Sequence, residues 1–184
     1  MGNAAAGAGL AELMSGNTDE AGDWFAKAVE RYRESYEHAP PGSWGRPIGM
    51  LKADVLAGEW DTAARDAEWT LDQGAAESDS PIGSYAGCLA LLVLGRDGEA
   101  RVLAAGLRSH DGFPGPVGDA LALLAAQDAV GYTEAVERVL ESFETREEYL
   151  EDLPVADTVM VLQALAERRG MAAELTSPLL PDMS

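Results

Sequence analysis

Gly16-Asn-Thr-Asp-Glu-Ala-Gly-Asp-Trp-Phe-Ala-Lys-Ala-Val-Glu-Arg-Tyr-Arg-Glu-Ser-Tyr-Glu37 decides the fold class. It reads as a turn followed by an amphipathic helix. Ala21, Trp24, Phe25, Ala28, Val29, Tyr32 and Tyr36 recur at steps of three and four, one face of a 3.6-residue period. Thr18 or Asp19 is expected to cap the helix, because a short side-chain oxygen accepts from unpaired N–H groups of the first turn. Trp24 and Trp60 are expected in the core. His38-Ala39-Pro40-Pro41 stops the helix, since successive prolines remove donors and block continuation.

Outward from this stretch the same pattern recurs in weaker form. A first short helix is expected over 4–15, with Leu10, Leu13 and Met14 inward. Others are expected over 46–57, 60–73, 81–94, from about 98 to His110, 116–127, 131–150 and 155–169. Ser80-Pro81 reads as an N-cap with proline at the first helical position. The run from Cys88 to Leu94 is apolar all round, which marks its helix as central. The ending Thr176-Ser-Pro-Leu-Leu-Pro181 reads as an extended segment apolar enough to dock. No strand pattern emerges. The expected architecture is all-α: about nine helices in stacked antiparallel hairpins over residues 1–184 as one domain, curved enough to leave a concave side.

Three segments share one layout: Ala-Glu-Leu-Met-Ser-Gly16-Asn-Thr-Asp-Glu-Ala21, Ala-Asp-Val-Leu-Ala-Gly58-Glu-Trp-Asp-Thr-Ala63 and Leu-Leu-Val-Leu-Gly95-Arg-Asp-Gly-Glu-Ala100. Each is an apolar helix end, a glycine, a short acidic turn and an alanine opening the next helix. The alanines are 42 and 37 residues apart, and a looser copy places Ala135 a further 35 on. Such periods made of paired helices mean stacked α-hairpins. At these residues the chain resembles tetratricopeptide-like repeats, with Ala28 where that consensus keeps alanine. The Trp-Leu-Gly-Tyr helix signature of that consensus is missing, and the spacing wanders.

A second resemblance covers roughly residues 84–181. Leu91-Leu-Val-Leu-Gly-Arg-Asp-Gly-Glu-Ala-Arg101 is similar to the helix–Arg-Asp–helix segment of an actinobacterial immunity-protein family from polymorphic-toxin systems, the forty-ninth numbered group. The ending from Val159 to Pro181 is similar to that family's C-terminal helix and terminal Leu-Pro stretch. Much of the family's N-terminal half has no counterpart here. The resemblance implies an all-α protein that binds and silences a toxin domain.

Composition narrows the function classes. Acids outnumber bases 32 to 13, giving a net charge of −19. Such a field repels nucleic acid and anionic membranes and attracts basic partners. Solubility alone is the alternative reading of the same number. Two lysines against eleven arginines, with abundant Ala and Gly, look like the usage of a high-GC bacterium. No apolar run reaches the ~20 residues that cross a bilayer, and Met1 to Leu10 lacks the basic start of a signal peptide. Cys88 stands alone, so no intrachain disulfide forms. A cytoplasmic protein is expected.

The sharpest local feature is a row of carboxylates. Glu134, Glu137, Glu141, Glu144, Glu148 and Glu151 are spaced 3, 4, 3, 4 and 3. On a continuous helix they form one stripe opposite the apolar face, either a docking surface for a basic partner or a solvated face partly balanced by Arg138 and Arg146. Trp44 and Phe113, in Pro/Gly loops, are candidate contacts of the kind that anchor interfaces. The partner-binding residues are therefore Glu134, Glu137, Glu141, Glu144, Glu148, Trp44 and Phe113. His38 and His110 are expected at helix ends, interacting with terminal carbonyls. Cys88 reads as inert core. Nothing matches a phosphate loop, a nucleotide fingerprint, a zinc site or a Ser/His/Asp order. No catalytic, cofactor or metal residue is assigned, and no enzyme is expected.

The leading expectation is a non-enzymatic protein-binding module with an acidic surface and a basic partner, with an immunity-type inhibitor of a toxin or effector as its specific form. The alternative is a small-molecule-binding or catalytic helical protein, with an apolar cavity between the fifth, seventh and ninth helices. A scaffold segment of a larger regulator is a third option. The mixed faces of the ninth helix also leave room for a homo-oligomer contact.

Overall fold

The computed structural model describes residues 1–182. Among these, the chain forms nine α-helices and one 3-10 turn, with no strand. In order they are α1 (Gly2–Met14), α2 (Thr18–Glu37), α3 (Gly45–Ala57), α4 (Trp60–Asp72), α5 (Pro81–Val93), α6 (Asp97–Arg108), α7 (Gly115–Ala125), α8 (Ala129–Glu144) and α9 (Asp157–Glu167), with the 3-10 turn at Leu150–Asp152. Each of α1 to α7 packs mainly on its chain neighbour, consistent with a stack of helical hairpins.

One turn is used repeatedly. Gly16, Gly58 and Gly95 are left-handed, at φ 79°, 72° and 70°. At Gly58, the Gly58 N–H reaches Val55 O and the Glu59 N–H reaches Asp54 O, which satisfies carbonyls the helix end leaves open. The same paired bonds close α1 at Gly16 and α5 at Gly95. The fourth copy ends α7, with Gln127 taking the left-handed position at φ 56°. The residue four past the next cap is Ala21, Ala63, Ala100 and then Tyr132. The loose copy expected at Ala135 is thus offset by three residues from the position the turn defines.

The cap of α2 is Asn17, not Thr18 or Asp19, and it makes no side-chain cap bond. Its amide instead donates back to Glu12 Oε2 at 2.7 Å. Ser80 caps α5 as expected, accepting from the Gly83 N–H at 3.0 Å. Asp128 does the same for α8 through Gly131.

α8 ends at Glu144 rather than near 150. Its buried stripe of Tyr132, Ala135, Val136, Val139, Leu140 and Phe143 has no successor, since Arg146 and Glu147 fall where the next apolar residues would lie. The Tyr149 hydroxyl folds back to donate to Phe143 O at 2.7 Å, so the chain leaves the helix there.

The main core joins α3 to α9, with α5 the most buried helix. A second cluster joins α1, α2 and α3. Close approach there depends on glycine: a Cβ at Gly2 of α1 or Gly49 of α3 would lie 2.6 Å from the Tyr32 ring. Ala21, Ala28, Ala63, Ala67, Ala100 and Ala104 are at most 1% exposed, so small residues set the spacing between neighbouring helices.

α9 does not simply extend the stack. It packs on α3 and α7 as well as α8, and the 3-10 turn packs on α1. The tail docks as expected, with Leu179 buried and its carbonyl accepting the Ala156 N–H at 2.9 Å.

Candidate functional site

The glutamate row is only partly helical. Glu134, Glu137, Glu141 and Glu144 lie exposed on α8, whereas Glu148 is exposed beyond its end and Glu151 sits in the 3-10 turn at φ 51°. A continuous six-residue stripe is therefore corrected to four residues on one helix face, spaced 3, 4 and 3 as in the sequence. The expected balancing cations are turned away. Arg138 pairs with Asp119 at 3.3 Å, and Arg146 lies over the Phe143 ring at 3.5 Å. Among the described residues no ion pair reaches Glu134, Glu137, Glu141, Glu144 or Glu148. Glu144 accepts from the Ser177 hydroxyl at 2.7 Å. Like charges at these spacings cost a few tenths of a kcal/mol per pair, and the packed face of α8 absorbs that cost.

The two loop aromatics are not exposed. Trp44 is 7% exposed, at the start of α3 against Ile48, Ala75 and Ala86. Phe113 is also 7% exposed, its ring centroid 5.3 Å from that of Tyr85 on α5. Pro/Gly loops on α5 fold these rings inward because the helix offers an apolar surface on every side. Trp24 is the reverse case: 37% exposed, with Lys27 over its ring at 4.2 Å. It sits at the edge of the Ala21/Phe25/Ala28/Tyr32 stripe. Trp60 is half-buried beneath Arg168, 4.2 Å away.

The other candidates resolve simply. Cys88 is fully buried, and its thiol donates to Ala100 O at 3.6 Å. Burial pushes that thiol up to about 12, so it is inert. His110 follows α6, but its Nδ1 accepts the Gly112 N–H at 3.0 Å rather than serving a carbonyl. His38 stands at the C-cap of α2. No group of three His, Cys, Asp or Glu among the described residues could hold a metal ion. Leu89 of α5, Leu121 and Leu124 of α7, and Leu162 and Leu165 of α9 belong to one core and are at most 2% exposed.

The sequence reading missed a second acidic surface. A cavity of about 670 Å³ opens between α2, α3 and α4. Asp19, Asp23, Glu30, Asp54 and Glu59 line it, with Phe25, Val29 and Ala57 as apolar lining and no Lys, Arg or His among the described residues. Asp54 is 4% exposed, and Asp66 of α4 behind it 6%. The Oδ2 atoms of both are buried, reached by no other donor among the described residues, and the two acids hydrogen-bond to each other. Arg33 of α2 pairs with Asp66 through Oδ1. Burial first, then the charge of Asp66 and a hydrogen bond with it, push the Asp54 carboxyl up to about 8, while Arg33 opposes. The pair lacks one positive charge, and burial together with Asp66 favours the neutral form of Asp54. The visible signal was Asp54 itself, an acid between the inward positions Leu51 and Val55. A second cavity, about 850 Å³ near α1 and α2, has mixed lining charge, with Arg31, Arg46, Glu34 and Glu37.

Two partly buried ionic links hold α9 and the residues after it against this scaffold. Lys52 of α3 donates to Asp157 Oδ2 and Thr158 Oγ1, each at 2.9 Å. Burial lowers the Lys52 ammonium, but Asp157 outweighs it and holds the group above its usual value. Arg169 donates to Asp97 at 2.5 and 3.1 Å and to Leu92 O at 2.8 Å. Burial pushes the Asp97 carboxyl up, but hydrogen bonds from Arg169 and Gln127 prevail and hold it below the usual range.

No protein-family model, curated protein or solved structure matches the chain.

Proposed function

We propose that this protein is a non-enzymatic binding module whose acidic surface recognises a basic protein partner. The observation that supports this reading is the exposed row Glu134, Glu137, Glu141 and Glu144, with Glu148 beyond it, none answered by a cation among the described residues. A net charge of −19 adds a long-range field of the same sign. Such surfaces speed encounter and select partners more than they deepen affinity. An immunity-type inhibitor of a basic toxin or effector is the specific form, resting on the resemblance over 91–101 and 159–181. The same charge disfavours nucleic acid and anionic membranes as partners, and no helix among the described residues is long and apolar enough to cross a membrane. A cytoplasmic setting rests on composition and the lone buried Cys88.

The test uses wild-type chain and an E134K/E137K/E141K variant as baits, at 50 mM and 500 mM salt. Near 0.5 M the Debye length is roughly 4 Å, so exposed charge pairing is screened. The expected result is a basic protein held by wild type at low salt, released at high salt and not held by the variant. Equal retention by both baits refutes the reading.

A further inference from the structure

The stack loosens between its last two helices: α9 packs on α8 far less closely than α8 packs on α7. Residues 171–181 lie across that seam. They bond to α8 through Glu144, to α9 through Gln163, and to Ala156 just before α9. Residues 171–177 form neither helix nor turn, and burial alternates along the segment. Met171, Ala173, Leu175, Ser177 and Leu179 are buried or half-buried, whereas Ala172, Glu174, Thr176 and Pro178 are exposed. A period of two is that of an extended chain with one face seated on a surface.

The seat reads backbone. The Gln163 amide donates to Ala173 O at 2.6 Å and accepts the Ala173 N–H at 3.1 Å. A neighbouring strand pairs with one residue in the same two-way manner. The Tyr132 hydroxyl donates to Gln163 Oε1 at 2.9 Å and holds the amide in that orientation. The N–H of the fully buried Ala156 donates to Leu179 O at 2.9 Å. These contacts ignore side-chain identity, so an extended peptide of matching apolar period can make them. One contact suits a different occupant better. Glu144, the last helical acid of the α8 row, is met by the neutral Ser177 hydroxyl at 2.7 Å and by no cation among the described residues. A Lys or Arg at that place makes a charge-assisted bond, roughly twice as strong as a neutral one.

We propose that the α8–α9 seam is a groove for an extended peptide, occupied in cis by residues 171–181. The partner displaces this strap with a segment that repeats its apolar alternation and carries Lys or Arg in place of Ser177. That cation rests on the acidic reading of α8, at Glu144 alone; the groove does not.

Two capped, fluorescein-labelled peptides test this by anisotropy on the full chain, one with the sequence of residues 171–181 and one with Ser177→Arg. The strap variant M171D/L179D leaves every groove residue in place. It should bind the first peptide at least about tenfold more tightly than wild type, because the groove is no longer filled. Adding Gln163→Leu should abolish that gain. The arginine peptide should bind more tightly than the serine peptide at 50 mM salt and equally at 500 mM, where exposed charge pairing is screened. Equal binding of the two peptides at 50 mM overturns the partner chemistry. Binding of neither to folded M171D/L179D overturns the groove, so the two failures are told apart. Hydrogen exchange on wild type decides the case in which that variant does not fold. The Ala156 and Ala173 amides should exchange at least about a hundredfold faster than those of α5, as a locally opening strap requires. Equal rates mean that the strap opens only with the whole fold, and they overturn the proposal.

Discussion

Replacing Asp54 with asparagine should change how stability depends on pH, and the size of the change follows from the buried acid pair. In the folded chain the Asp54 carboxyl is pushed up to about 8, first by burial and then by Asp66. In the unfolded chain it returns to about 3.9. Between those values the folded state holds one proton that the unfolded state has lost. Stability therefore falls as pH rises, by about 1.4 kcal/mol per pH unit per proton. The cost is absent below the unfolded value, grows through pH 5 to 7 and levels off above the folded value. From pH 5 to pH 7 it amounts to about 2.7 kcal/mol on the same slope. The asparagine side chain keeps the shape, cannot ionise and offers Asp66 an N–H. Urea unfolding of wild type and D54N at pH 5, 6 and 7, at constant ionic strength, gives the two slopes. Carboxylates outside the Asp54–Asp66 pair contribute alike to both proteins and cancel in the difference. The variant should gain on wild type by about 1.4 kcal/mol with each pH unit. Parallel slopes would refute the reasoning, because Asp54 would then be ionised in the fold.

Lys52→Met should cost about 1–3 kcal/mol, since it leaves the partly buried Asp157 without its cation, and chemical denaturation measures it. K52M/D157L should recover most of that loss in the same assay, because the strain lies in the unpaired charge. Gly49→Ala should destabilise by about 1–3 kcal/mol, because the added methyl meets the Tyr32 ring at 2.6 Å, and thermal melting reports it. Gly58→Ala, with open space around it but φ 72°, should cost only about 1 kcal/mol through backbone strain, again read by melting.

Much of the fold is legible because helix signals here are local. The 3.6 period of α2, the glycines at the turns and the Ser80-Pro81 start all act within one or two helical turns. The end of α8 escapes the same reading. Glutamates continue the spacing past Glu144, but burial rather than charge sustains a helix, and the apolar stripe stops at Phe143. Trp44 and Phe113 look exposed in the sequence because their loops are polar and breaker-rich. Whether a loop side chain turns inward depends on what lies beneath it, and α5 lies beneath both.

By itself the sequence determined an all-α chain, its helix order, the centrality of α5, the inert Cys88 and the acidic row on α8. Periodicity, caps and net charge are properties of neighbouring residues or of the whole composition. Only the tertiary structure decided where α9 goes. It places Lys52 against Asp157 and Arg169 against Asp97, residues 105 and 72 positions apart. It also sets Asp54 against Asp66 at the back of an acidic cavity. Pairings between distant helices depend on how whole faces pack, and no local pattern encodes which buried charge will meet which.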